Sequence, residues 1–478
     1  MPNLLRTLFA ISLLTLCALP ATAESDPKPN IIIFLADDMG WADVGFNGGQ
    51  TIHTPHLDEM AAHSLRFERF YAAAPVCSPT RGSVLTGRHP DRYGIFGANV
   101  GHLPPTEHTL FEALAEAGYT TGHFGKWHLG TLTTTLRESN RGGPRGAAHY
   151  SPPWDHAVDV SFVTEAKTPT YDPMLRPPIA QGRPNHQSWA PIPAGAPSTP
   201  YGTHYWTGPD TMVPPDAPEL RGDDSAIIMN RALRFIADAA TAETPFLAAI
   251  WFHAPHLPVV AGPEHTGLYP DATTYEANYY GCVTALDEQV GRLRAQLRAL
   301  GVADNTMLCF CSDNGPEGRA GAAPGSAGPL RGRKRDLLEG GIRVPGLIEW
   351  PARIRTARTT TVPCGTIDYL PTIRAAAGIT SRNPLPLDGI DLLPLLDGAM
   401  TQRPAPLAFH SRKEVALIDN RYKILSRDDG ATYALYDLVA DPGETVDLAE
   451  RMPDVTRAMA EQAAAWRASC EQSATRDG

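Results

Sequence analysis

The sequence predicts an α/β fold in which a large, mostly parallel β-sheet carries helices on both faces and precedes a smaller C-terminal α+β domain. Three apolar runs, each too short for an ordinary helix, predict buried strands at residues 30–36, 245–252 and 306–311. Helical patterns separate them at 109–117, 224–240 and 283–300. This alternation is typical of a parallel sheet, in which ligands bind at the carboxyl ends of the strands.

The pattern changes after residue 396. Short strand-like runs at 406–410, 415–418, 422–424 and 433–436 precede a predicted helix at 454–468. They predict a C-terminal domain at 397–478, an antiparallel sheet with one helix, after a main domain at 24–396. Within the main domain, residues 137–218 are rich in Pro, Gly and aromatic side chains. We expect them to form a long, loop-rich insertion over the functional site.

Charge and the N-terminal segment limit the class of protein. The chain has 478 residues and a formal net charge of −11, which argues against a nucleic-acid partner. Residues 1–23 predict a signal peptide, because Arg6 precedes an apolar run and Ala21-Thr22-Ala23 offers small residues for cleavage. No later apolar run approaches the ~20 residues that span a bilayer. We therefore expect no membrane span and a periplasmic or secreted location.

Adjacent carboxylates follow the first predicted strand. Asp37 and Asp38 would repel each other there unless a cation neutralised them, and Asp313 and Asn314 follow another predicted strand in the same way. Three carboxylates and one amide oxygen, without a ready His or thiolate ligand, favour Ca²⁺ over Zn²⁺, with Mg²⁺ also possible. The alternative is that both segments are ordinary strand-to-loop turns.

The segment Cys77-Ser78-Pro79-Thr80-Arg81 lies between these two acidic pairs. Pro79 suits the first turn of a helix that can continue to Gly87. Cys77 would then lie at a helix N-terminus, where backbone N–H groups favour a bound anion. Arg81 would lie one turn further along and point its guanidinium back toward Cys77. The alternative is a small buried Cys in a turn. Two other cysteines, Cys309 and Cys311, lie in an apolar run and are expected to be buried thiols.

Further cations and histidines follow in short, Gly-punctuated segments. Lys126 and His128 flank Trp127, so that in an extended segment both would lie on one face. Lys334 stands in a run of arginines, a pattern more typical of a solvated surface. His256 follows the strand predicted at 245–252, whereas His253, just before it, is expected to be structural.

Together these motifs resemble the formylglycine-dependent sulfatases, the type I sulfatases of the alkaline-phosphatase superfamily that include arylsulfatases and polysaccharide sulfatases. The resemblance extends over residues 29–396 and is carried by the segments 29–41, 77–81, 125–130, 253–258, 312–315 and 334–345. It implies an alkaline-phosphatase-like fold and the activity of a sulfuric ester hydrolase.

The resemblance also implies a modified nucleophile. A formylglycine-generating enzyme would oxidise Cys77 to formylglycine, and one hydroxyl of the hydrated aldehyde would attack sulfur. The implied cation ligands are Asp37, Asp38, Cys77, Asp313 and Asn314. The implied groups for transition-state charge and proton transfer are Arg81, Lys126 and Lys334 as cations, His128 as base for the diol and His256 as acid for the leaving oxygen.

The expected substrate is a sulfated sugar or oligosaccharide, as in polysaccharide degradation. Candidates for sugar contacts in the insertion are Trp154, His204, Tyr205 and Trp206. One alternative is a phosphonate monoester or phosphodiester hydrolase of the same superfamily, which can use the same nucleophile. Another is a non-catalytic protein that binds sulfated glycans and never has Cys77 oxidised.

Overall fold

The fold is taken from a computed structural model that describes residues 27–138, 143, 146–180, 188–193, 195–380 and 385–476. The predicted signal peptide, 1–23, lies outside the described residues. The strands are β1 (Asn30–Ala36), β2 (Leu65–Phe67), β3 (Phe70–Tyr71), β4 (Thr120–Lys126), β5 (Val160–Thr164), β6 (Trp206–Gly208), β7 (Thr211–Met212), β8 (Phe246–Trp251), β9 (Thr306–Ser312), β10 (Arg343–Val344), β11 (Gly346–Glu349), β12 (Arg358–Thr360), β13 (Cys364–Gly365), β14 (Leu407–Ser411), β15 (Glu414–Ile418), β16 (Tyr422–Ser426) and β17 (Ala434–Asp437).

Helices separate most of the long strands, as the sequence predicts. They are α1 (Pro55–Ala61), α2 (Cys77–Thr86), α3 (Leu110–Glu116), α4 (Asp224–Thr241), α5 (Pro263–Thr266), α6 (Thr274–Ala299), α7 (Glu339–Ile342), α8 (Tyr369–Ala376), α9 (Leu393–Leu396) and α10 (Pro453–Arg476). No helix within the described ranges combines the length and the apolar character that crossing a membrane requires.

The main sheet has the strand order β12-β2-β11-β9-β1-β8-β4-β5-β6-β7. Its centre, from β9 to β5, is parallel, and antiparallel pairs occur toward both edges. Along β1, Ile31 and Ile33 pack into the core on one face, while Ile32 and Phe34 pack into the core on the other. Both faces are covered because α2, α3 and α8 contribute to the first core and α1, α4 and α6 to the second. The predicted fold class is confirmed.

Two parts of the main domain differ from the sequence prediction. Helix α6 begins at Thr274 rather than at 283, after Thr273 and Glu276 cap its first turn reciprocally. The aromatic and polar residues of its first turns hide the helical period. In addition, the stretch 137–218 contains β5, which extends the parallel part of the main sheet beside β4. That stretch therefore contributes to the central sheet as well as to loops.

The C-terminal sheet is antiparallel, with the order β14-β15-β16-β17. One face packs on Leu337, Leu338 and Ile342 from the segment before β10, and the other packs on α10 through Met459 and Ala463. This sheet and helix agree with the predicted α+β pattern, while the domain division after residue 396 stays a prediction. The cysteines in the described ranges are buried free thiols, which confirms the expectation for Cys309 and Cys311.

Candidate active site

Two neighbouring strands bring the acidic residues together. β1 and β9 are parallel, with Ala36 opposite Ser312, so the residues that follow each strand meet at one edge of the sheet. Asp37 and Asp38 follow β1, and Asp313 and Asn314 follow β9. The backbone N–H of Asp38 donates to Asp313 Oδ1 at 3.1 Å, and Asn314 Nδ2 donates to Asp38 Oδ1 at 2.7 Å. All four residues are buried.

Cys77 is the first residue of α2, after Val76 in an extended conformation. Its Sγ lies 3.6 Å from Asp37 Oδ1, and the residue is 1% exposed. Burial, opposed by Lys126 and Lys334, raises the pKa of the Cys77 thiol to about 12. An unmodified Cys77 is therefore a neutral thiol and a poor nucleophile at neutral pH.

Each acidic side chain has a cationic partner. Lys126 Nζ donates to Asp37 Oδ2 at 2.6 Å, and Lys334 Nζ lies 2.6 Å from both oxygens of Asp38. Burial disfavours ionisation of Asp37, but Lys126 and the other nearby cations outweigh it and hold the pKa of this carboxyl well below its usual range. The run of arginines around Lys334 is typical of a solvated surface, but the side chain of Lys334 is buried.

Arg81 forms an ion pair with Asp313. Its Nε and one terminal nitrogen donate to Asp313 Oδ2 at 3.0 and 2.7 Å, and the other terminal nitrogen donates to the carbonyl of Lys126 at 3.1 Å. The side chain is fully buried. The sequence predicts that this guanidinium points toward Cys77, and the structure shows that its hydrogen bonds go to Asp313 and to the Lys126 carbonyl. The guanidinium fixes the position of a carboxylate.

The donor set fits a hard divalent cation. Asn314 Oδ1 is buried and has no hydrogen-bond partner among the described residues, which is costly for a polar atom unless a ligand binds it. Ligand atoms of Asp37, Asp38, Cys77 and His256 lie within 4.8 Å of one another. Carboxylate and amide oxygens are the ligands that Ca²⁺ and Mg²⁺ prefer. Asp37 and Asp38 of this group follow β1, whereas Cys77 begins α2 and His256 follows β8. Asp313 and Asn314, the other two predicted oxygen ligands, follow β9.

The two candidate histidines approach the site from different loops. His256 Nε2 lies 3.7 Å from Asp38 Oδ2, and its Nδ1 lies 2.7 Å from the carbonyl of Leu257. Because a carbonyl only accepts, Nδ1 carries the hydrogen, and Nε2 can donate only from a protonated ring. Burial, opposed by Asp37 and Asp38, lowers the pKa of His256 to about 4.

His128 lies just beyond the end of β4. The sequence predicts an extended segment from Lys126 to His128, but the backbone of His128 has φ +59°, so the segment is not extended at this residue. The Nε2 of His128 nevertheless lies 2.8 Å from Asn99 Oδ1, and both Lys126 and His128 face the same cavity. The structural role expected for His253 is confirmed, since this buried ring lies 2.7 Å from both Asp224 and Thr164.

Comparison with known proteins identifies the family. A sequence profile described as Sulfatase matches residues 29–379, more than half of the chain. The chain belongs to the sulfatase family. A second profile, described as the C-terminal region of N-sulphoglucosamine sulphohydrolase, matches residues 333–469 of this sulfatase.

Relatives cover most of the sulfatase. It is similar to N-acetylgalactosamine-6-sulfatase of Canis lupus familiaris, with 33% identity over 410 residues, covering 82% of this chain and 71% of the relative. It is also similar to arylsulfatase A of Homo sapiens, with 31% identity over 487 residues, covering 93% and 89%. Among solved structures, Ps i-CgsB in complex with k-i-k-neocarrahexaose matches with a TM-score of 0.75, 26% identity and coverage of 92% and 93%. The chain is therefore a type I sulfatase of the alkaline-phosphatase superfamily and a sulfuric ester hydrolase.

A cavity of about 590 Å³ opens onto the sulfatase site. Of the predicted residues, Cys77, Lys126, His128, His256 and Lys334 line it. Sequence reasoning missed other lining residues, among them Phe96, Asn99, Lys167, Glu317 and Arg412. They come from loops and from the C-terminal sheet. Single residues in loops carry no periodic signal that could have revealed them.

The aromatic residues proposed for sugar contacts lie elsewhere. Tyr205 is fully buried and stacks on Phe162 at 4.1 Å between ring centroids, while its hydroxyl donates to Asp224. Trp206 is 4% exposed and donates to Glu138. His204 also contacts Glu138, and Trp154 packs against the core. None of these four residues lines the cavity, and Tyr205 and Trp206 are buried within the fold, so sugar contact by this group stays a prediction.

Proposed function

We propose that this sulfatase is exported and removes sulfate from a sulfated carbohydrate, using formylglycine derived from Cys77 together with a divalent cation. The observation that carries the proposal is the convergence of Asp37, Asp38, Asp313 and Asn314 beside Cys77, with Asn314 Oδ1 left without a partner among the described residues. The signal-peptide pattern of residues 1–23 supports export.

The four oxygen-bearing residues would hold Ca²⁺ or Mg²⁺. Bound there, the cation would supply charge stabilisation for the sulfuryl oxygens and for the nucleophile. The protein supplies three carboxylates, and Lys126, Lys334 and Arg81 balance them. The site can therefore accept both a divalent cation and an anionic ester without burying a large net charge.

Formylglycine at position 77 would supply a hydrated aldehyde with two hydroxyls. One would attack sulfur and displace the alcohol, and loss of the proton from the other would let the aldehyde reform and expel sulfate, an exit that a thiol lacks. Residue 77 lies at the start of α2, where helix N–H groups favour an anion. Lys126 and Lys334 both line the cavity. Their ammonium groups can donate to sulfate oxygens as negative charge develops there.

Two histidines can move protons. His128, held by Asn99, faces the cavity from the end of β4 and would take a proton from the hydrated aldehyde. His256, oriented by the carbonyl of Leu257, would give a proton from Nε2 to the leaving oxygen. Because the pKa of the free ring is lowered, this role requires that the bound anionic ester raise it and so stabilise the protonated ring. Arg81 acts as a positioning residue, because its donors hold Asp313 and the Lys126 carbonyl.

A sulfated carbohydrate is supported by the relatives. One curated relative is named for a 6-sulfated N-acetylgalactosamine, and a similar solved structure contains a neocarrahexaose. The cavity is open enough for a sugar unit, and its lining carries several cations.

The test begins with protein made in a host that has a formylglycine-generating enzyme. We expect peptide mass spectrometry to find residue 77 as formylglycine, and sulfate release to be measurable on a panel of sulfated oligosaccharides. Chelation should abolish release, and Ca²⁺ or Mg²⁺ should restore it. The matched control is Cys77→Ala, which should be inactive at an unchanged thermal midpoint.

Two outcomes would overturn the proposal. Undiminished activity with a fully unmodified Cys77 would exclude formylglycine as the nucleophile. A larger kcat/KM for an aryl phosphodiester than for an aryl sulfate would favour the phosphonate monoester or phosphodiester hydrolase instead.

A further inference from the structure

The cavity holds more positive charge than the removal of one sulfate requires. Three of its cations are paired with carboxylates: Lys126 with Asp37, Lys334 with Asp38, and Arg335 with Glu317, whose two oxygens lie at 2.6 and 3.0 Å. Two more cations, Lys167 and Arg412, line the same cavity. This local charge contrasts with the net charge of −11 of the whole chain.

Lys167 follows β5 and is half-buried. No carboxylate of a described residue forms an ion pair with its ammonium group, while its carbonyl accepts a hydrogen bond from Thr203. Burial and the positive charges of Lys126 and Lys334 lower the pKa of Lys167. Because neighbouring positive charges destabilise the charged form of Lys167, an anion that enters the cavity would stabilise it.

Arg412 reaches the cavity from the turn between β14 and β15, with φ +58°. It is exposed, and no ion pair joins its guanidinium to a carboxylate within the described ranges. Its carbonyl lies 2.9 Å from His410 Nε2, which holds the turn. The next residue, Lys413, is also exposed but does not line the cavity.

An apolar side chain accompanies these two cations. Phe96 lines the cavity and is 57% exposed, so its ring is accessible to a ligand that enters the cavity. The apolar face of a sugar ring packs well on such an aromatic ring. The cavity thus offers an aromatic ring and two cations for which the described part of the chain holds no paired carboxylate.

We propose that Phe96, Lys167 and Arg412 form a subsite for a sugar that carries a second acidic group, beyond the sulfate to be removed. Lys167 and Arg412 pair with that group, and Phe96 packs on the ring. This inference rests on the proposed function and makes its substrate a polyanionic saccharide. The three residues determine specificity and take no part in the bond cleavage at sulfur.

Binding to the full chain carrying Cys77→Ala tests the subsite without turnover. The probes are glucose 6-sulfate, with one anionic group, and sucrose octasulfate, in which every hydroxyl carries a sulfate. By calorimetry we expect the octasulfate to bind at least about tenfold more tightly, because each additional charge-assisted contact adds affinity. Lys167→Gln and Arg412→Gln should each weaken octasulfate binding about three- to tenfold and leave glucose 6-sulfate within about twofold. Phe96→Ser should weaken both probes.

Lys413→Gln is the matched control, since it removes the same charge from the same turn outside the cavity. It should leave both affinities within about twofold. Equal losses for Lys413→Gln and Arg412→Gln would overturn the subsite in favour of general surface charge. Equal losses for the two probes, or none, would also overturn it. Should the sulfatase release no sulfate although the predicted binding pattern holds, the proposed function would fail and the subsite would stand.

Discussion

Lys423 lies in a buried network that joins the C-terminal sheet to the main domain. Its Nζ lies 3.0 Å from Glu339 Oε1 and 2.8 Å from Glu444 Oε1, and all three side chains are fully buried. Tyr71 donates to the other oxygen of Glu339 at 2.9 Å. One ammonium thus serves two carboxylates, so its removal should destabilise the fold strongly.

Lys423→Met keeps most of the side-chain volume and removes the charge. Leaving buried carboxylates without their partner costs about 3–5 kcal/mol of unfolding free energy. Burial already raises the pKa of Glu444, so this group can take up a proton when Lys423 is lost. The deficit should therefore be smaller at about pH 5 than at about pH 8, because protonation removes the uncompensated charge.

Equilibrium urea unfolding measures this deficit. The control is Arg421→Met, next to the same strand, where Arg421 is 60% exposed and pairs with Asp437 at 2.8 Å. An exposed pair of this kind contributes little, so the control should keep its midpoint. Equal midpoints for Lys423→Met and Arg421→Met would refute the reasoning. Adding Glu444→Gln to Lys423→Met should recover part of the loss.

Three further changes have expected outcomes. Gly125→Ala should destabilise the protein by about 1–3 kcal/mol in thermal unfolding and lower sulfate release. Gly125 has φ +101°, and a Cβ at this position would lie 2.0 Å from the carbonyl oxygen of Trp251. An unchanged thermal midpoint would contradict this expectation. The hydrogen bond to Asp91 raises the pKa of His410, so protonated His410 stabilises the fold below about pH 6.5, and the contribution is lost as pH rises through the raised pKa. His410→Gln should thus lower the thermal midpoint more at about pH 5.5 than at about pH 9, and the opposite order would be inconsistent with the pairing. His256→Ala should lower kcat about 10²- to 10⁴-fold for sugar sulfates, and far less for aryl sulfates with good leaving groups; equal losses would exclude a role in proton donation.

The parts of the fold predicted best are those with a local signal. β1, β8 and β9 are continuous apolar runs, and α4 has a clear helical stripe ended by polar residues. β5 was missed because it lies inside a segment dominated by Pro and Gly, and its place depends on pairing with β4. Such pairing is a tertiary contact that composition does not reveal.

The candidate site also combines features that the order of elements predicts with features that depend on side-chain packing. Asp37, Asp38, Asp313 and Asn314 follow strands that are neighbours in the sheet, so their meeting could be inferred from the order of elements. The direction of Arg81 toward Asp313 and the contact between His128 and Asn99 could not, because each depends on side-chain packing. The burial of Tyr205 and Trp206 in the insertion could not be inferred either, since burial and sugar contact favour the same residue types.

The convergence of Asp37, Asp38, Asp313 and Asn314 on one divalent cation beside residue 77 is tested most directly by crystallography. Crystals of the mature protein grown with Ca²⁺ would locate the ion by its anomalous signal. We predict one ion at about 2.3–2.6 Å from oxygens of these four residues, next to a formylglycine side chain. An ion bound elsewhere, with Lys126 and Lys334 still occupying the carboxylates, would contradict the proposed site.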